Sequence, residues 1–115
     1  ETLEMLMRQT VEDAKNAKDV ALWWHFVSLT STDPECAKLL HDWYDTLTRG
    51  ITQLVRAVNP ALKPAESAQI AMLITAMADG LAMQLGTAGR ESTRGLEARY
   101  LATVYQLVGL EAATA

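Results

Sequence analysis

Two histidines (His25 and His41), one cysteine (Cys36) and fourteen acidic residues are the side chains here that could carry nucleophilic, acid–base or metal chemistry. A nucleophilic triad needs a serine or cysteine, a histidine and a carboxylate brought together. Cys36 and His41 are five residues apart, a spacing that turns them to different faces of a helix. The histidines could in principle ligate a metal across neighbouring helices. No Glu-x-x-His or His-Glu-x-x-His step accompanies either one, so no helix-borne metal motif is present. Glycines 86, 89 and 95 follow no strand and form no phosphate loop. These residues predict no enzyme, no metal and no cofactor.

Two other features point to binding. Five aromatic residues fall between Trp23 and Tyr44: Trp23, Trp24, Phe26, Trp43 and Tyr44. On facing helices they either wall a cavity or form ordinary core. Asp79 is the second feature, a carboxylate set among Met72, Thr75, Ala76, Ala82 and Met83. If buried it needs a hydrogen-bond partner from the protein or a cation.

The elements that must position these residues are helices, because no run of alternating polarity long enough for a strand occurs. The fold class is all-α, a five-helix bundle. A first helix over about 2–15 places Leu3, Leu6, Met7, Val11 and Ala14 on one stripe. A second, about 19–29, is apolar nearly all round. The third has a clear start, with Asp33 placed to cap, Pro34 at the first helical position and Glu35 in the first turn. It runs to Val58, with Gly50 as a candidate bend or close packing point. The fourth begins near Pro64 and ends near Leu85, before a polar glycine-containing loop over 86–93. A fifth covers about 94–108.

The fourth helix is apolar on two faces. One carries Met72, Thr75, Asp79 and Met83, the other Ile70, Leu73, Ile74, Met77 and Leu81. A small bundle cannot cover both, so the second face, with Leu101, Tyr105 and Val108 of the last helix, is the expected homodimer interface. A pocket between the second, third and fourth helices would be walled by Trp23, Trp24, Val27, Tyr44, Leu47, Met72, Thr75 and Met83. Asp79 is its candidate polar anchor. A cation would pair with Asp79 and the aromatic faces, whereas a neutral effector would leave Asp79 to a protein partner.

Length and charge bound the function. At 115 residues, half of them apolar, the chain suits one domain over residues 1–115. Ten basic against fourteen acidic residues give a net charge of −4, which offers no clustered positive surface for nucleic acid. A lone cysteine excludes a disulfide framework, and the expected location is the cytoplasm. From Ser67 to Gly89 the only charged residue is Asp79, so a transmembrane helix must be weighed; the insertion cost of a central aspartate favours a buried soluble helix.

In order along the chain, Trp23-x-x-Phe26, Asp33-Pro34 opening a long helix with Tyr44, Ala78-Asp79-Gly80-Leu81, and a last helix after a glycine-containing loop resemble the C-terminal domain of TetR-family transcriptional regulators. The nearest branch is that of the choline-responsive betaine regulator. The resemblance covers about Leu3 to Leu110. It implies a repressor's effector-binding and dimerisation domain, in which the last two helices of each subunit form a four-helix interface and the preceding helices enclose a small-molecule pocket. The family's N-terminal helix-turn-helix has no counterpart in residues 1–115, so DNA contact is expected only through that missing part. A helical protein-interaction module without a ligand is the rival reading, and a void beside Trp24 and Tyr44 would separate the two.

Overall fold

The computed structural model describes residues 2–87 and 94–109; of the loop expected over 86–93, residues 86 and 87 belong to the fourth helix and 88–93 lie outside the described residues. Five helices account for most of these residues: α1 Thr2–Ala14, α2 Ala17–Leu29, α3 Pro34–Val58, α4 Pro64–Thr87 and α5 Leu96–Val108. Among the described residues there is no strand, and the fold is all-α.

Local chemistry explains the boundaries. Asp33 starts α3 from an extended backbone, its carboxylate accepting from the amides of Glu35 at 2.9 Å and Cys36 at 3.4 Å, with Pro34 in the first turn. Asn16 caps α2 in the same way, accepting from the amide of Asp19, so α2 begins two residues before the expected Asp19. Gly50 does not interrupt α3. It is exposed, and an added Cβ would meet nothing within 4 Å, so there is no close packing at that point. Asn59 ends α3, and its Nδ2 donates to the carbonyl of Val108 at 2.7 Å. That bond ties the end of α3 to the end of α5, which closes on Gly109 in the left-handed region at φ 82°.

The core is built from α1, α3, α4 and α5. Leu3, Met7 and Val11 meet Ile51 and Val55, Ile70, Ala71 and Ile74, and Tyr100, Leu101, Val104 and Val108. The buried Tyr100 hydroxyl donates to the Met7 sulfur at 3.2 Å, linking α5 to α1. α2 adds no buried residue, although Val20, Leu22, Trp23, Trp24, Phe26, Val27 and Leu29 make it mostly apolar. The molecule measures 43 × 37 × 17 Å. With a helix about 10–12 Å across, 17 Å leaves room for roughly two layers, so most helices keep one uncovered face. Pro64–Leu85 of α4 is long and apolar enough to cross a membrane; here Ile70, Ala71 and Ile74 on one side join the core while Met72 and Leu73 on another are exposed.

Candidate functional site

A cavity of about 480 Å³ lies where α2 and the first half of α3 approach the core. α1 lines it with Leu6, Met7, Thr10, Asp13 and Ala14, and α2 with Asp19, Val20 and Trp23. α3 adds Trp43, Leu47 and Ile51, α4 adds Ile74, Thr75, Ala78, Asp79 and Ala82, and Tyr100 of α5 completes the wall. The helical repeat accounts for the α4 set, since positions 75, 78, 79 and 82 recur on one face.

Asp79 is the most constrained polar group. Its Oδ2 accepts a hydrogen bond from the Tyr44 hydroxyl, joining α4 to α3. Trp23 packs on the Tyr44 ring edge-on, with centroids 6.4 Å apart at 74°, and on Phe26 at 5.8 Å. Burial holds the Asp79 carboxyl above the usual aspartate range, and the bond from Tyr44 acts in the opposite direction. The Tyr44 phenol is pushed well above its ordinary value, first by burial and then by Asp79. Burial pushes the Tyr100 phenol up to about 12. The other polar wall groups are Thr10 and Thr75, each donating to the carbonyl four residues back, Asp13, which accepts from Gln9 at 2.8 Å, and Asp19. Among the described residues three carboxylates line the cavity, and no lysine, arginine or histidine does.

The expected pocket residues are only partly together. Trp23, Leu47, Thr75 and Asp79 lie in the wall, with Tyr44 directly behind Asp79. Trp24 and Val27 are half-buried on α2 outside the wall, and the buried Trp24 Nε1 has no hydrogen-bond partner among the described residues. Met72 and Met83 sit on the outer side of α4, 61% and 52% exposed. The cavity also reaches α1 and α5, which sequence reasoning did not include. Thr10 and Asp13 border the apolar stripe of α1, and that was the one signal available for them. Trp43 was recognised as part of the aromatic group but not as wall.

The expected dimer residues divide similarly. Ile70, Ile74, Leu101 and Val108 are buried in the chain's own core, while Met77, Leu81 and Tyr105 are half-buried against it. Leu73 is 51% exposed, on the same outer side of α4 as Met72. His41 Nε2 approaches Asp45 Oδ2 at 3.3 Å on the exposed side of α3, and Cys36 lies apart near Asp33. Among the described residues no three histidine, cysteine or acidic side chains are grouped to hold a metal ion.

A family model described as the C-terminal part of a BetI-type transcriptional repressor matches residues 1–108. No curated protein and no solved structure matches the chain. The chain belongs to the BetI-type repressor C-terminal family, a branch of the TetR regulators.

Proposed function

We propose that this chain is the single effector-binding and dimerisation domain of a cytoplasmic TetR-family repressor, with no catalytic activity and no cofactor. The observation that carries the reading is the cavity itself. About 480 Å³ with apolar walls and a few convergent polar groups suits a small organic molecule. Its three carboxylates, without a cationic side chain among the described wall residues, favour an effector that is positively charged or rich in donors over an anion. The Tyr44 hydroxyl already serves Asp79, which supports a neutral donor as well as a cation.

An effector that prefers one arrangement of α1 and α4 biases the body toward it, and the affinity difference sets the coupling to the DNA-binding part outside these residues. Dimerisation runs through α4 and α5, where Leu73, Met77, Leu81 and Tyr105 leave apolar surface beside Met72. Light scattering should report twice 12.6 kDa, and Leu73→Glu with Met77→Glu should return the monomer. With a net charge of −4 the chain alone should not shift DNA near physiological salt.

Calorimetry with quaternary amines and matched neutral isosteres tests the ligand reading. Saturable binding that is weakened by Thr75→Trp, which fills the cavity, supports it. Binding unaffected by that substitution, or no binding across the panel, contradicts it and favours a ligand-free interaction module.

A further inference from the structure

The bond from Tyr44 to Asp79 stands at the edge of the cavity, and of the two residues only Asp79 lines it. The phenol donates its hydrogen bond to Oδ2, while the edge-on Trp23 ring holds it from α2. A carboxylate has acceptor capacity for several donors, so Oδ1 keeps its lone pairs. Among the described residues no other hydrogen bond or ion pair reaches Asp79.

We propose that Tyr44 is a positioning residue for the effector: it fixes Oδ2 of Asp79 so that Oδ1 faces the cavity as the acceptor for an ammonium, amidinium or hydroxyl group. The proposal rests on reading the cavity as the effector site and names the chemical group recognised there. The phenol also favours the charged form of a carboxyl that burial disfavours. The titratable groups on the facing walls do not help it. Asp13 of α1 and Asp19 of α2 are like charges, and Tyr100 of α5 is a neutral phenol. Tyr44 is therefore the one group facing Asp79 among the described residues that stabilises its charge by a direct hydrogen bond.

Tyr44→Phe keeps the ring against Trp23 and removes only the hydroxyl. Carbon-detected NMR titration of the Asp79 carboxyl in the wild type and in this variant is the first arm. The midpoint should rise in the variant by about one pH unit. An unmoved midpoint overturns the positioning role whatever the cavity binds. The second arm is calorimetry with benzylamine, benzyl alcohol and benzoate, which share one aromatic body. Wild type should prefer benzylamine to benzoate by on the order of tenfold, and its benzylamine affinity should fall about tenfold per pH unit below the Asp79 midpoint. In Tyr44→Phe the fall should begin at higher pH; a uniform loss at every pH would mean a structural role only. Asp79→Asn, which retains an acceptor for Tyr44, should abolish the pH dependence and serves if Tyr44→Phe does not fold. A shifted midpoint with no binding of any probe contradicts the cavity reading, and equal binding of benzoate and benzylamine contradicts the recognised group.

Discussion

Two regions of this small bundle use apolar residues in opposite ways. Where α1, α5, the second half of α3 and the first half of α4 meet, Met7, Val55, Ile74, Val104 and Val108 are all but removed from solvent. α2 is at least as apolar, yet it has no buried residue, and Leu22 and Leu29 of α2 lie exposed together with Leu39 and Trp43 from the first half of α3. The first region is held by interdigitated packing and by cross-links such as Asn59 to Val108 and Tyr100 to Met7. No side-chain hydrogen bond or ion pair found among the described residues joins α2 to α1, α3 or α4; its ties there include the ring contact between Trp23 and Tyr44. The cavity lies at the seam between the two regions, with Met7, Ile51, Ile74 and Tyr100 of the dense region forming one side of its wall. A gap is tolerated where little packing depends on filling it.

The largest expected effect sets the two regions against each other. Met7→Ala should cost about 2–5 kcal/mol in urea unfolding, by lost burial and enlargement of the cavity that Met7 borders. Leu22→Ala, at 63% exposure, should change stability by less than about 0.5 kcal/mol. Equal losses at the two positions would break the comparison.

A smaller effect belongs to the cross-link at the ends of α3 and α5. Gly109→Ala puts a Cβ on a backbone at φ 82° and within 3.0 Å of Asn59 Nδ2, so it should destabilise by about 1–2 kcal/mol. Asn59→Ala leaves the Val108 carbonyl without this donor and should cost about 1 kcal/mol. If both variants unfold like the wild type, the dense region does not depend on this closure.

The smallest effect is a matter of sign. Asp79 has a folded pKa above its ordinary 3.8, so the folded state binds this proton more readily than the unfolded chain does. Its contribution to stability therefore falls as pH rises from 3.8 through the folded value and is level above it. The exposed Asp42, drawn down chiefly by its hydrogen bond from Lys38, has the opposite sign: its contribution is present above the ordinary value and is lost as pH falls. Melting curves of Asp79→Asn and Asp42→Asn across acid pH, each subtracted from wild type, should slope in opposite directions. Slopes of the same sign would contradict the assignment of Asp79 to a half-buried wall.

Most of the fold was legible because local chemistry announces itself. Asp33-Pro34 marked the start of α3 to the residue, and α1 and α4 ended within two residues of expectation. The start of α2 was missed because Asn16 acts as a cap through an amide rather than before a proline. The site was less legible, for a reason visible in α4. Its apolar positions fill the whole circumference, so periodicity cannot say where one face ends. Asp79 and Thr75 face the cavity, but Met72 and Met83, only about 20° and about 40° around the helix from Asp79, face outward. Ile70 and Ile74 have the spacing of an interface, and α1 and α5 cover them from within the same chain. Which neighbour claims a face is decided by tertiary packing, and α1 and α5 entered the cavity wall for that reason.

Native-state hydrogen exchange on the unliganded protein tests the two-region account most directly. Amides of α5 and of α3 around Ile51–Val55 should exchange only through global unfolding, with the full stability of the domain as their protection. Those of α2, from Val20 to Leu29, should exchange through a local opening at least about 2 kcal/mol less costly. Protection of α2 equal to that of α5 would show that the cavity wall is as firmly packed as the core and would contradict the account.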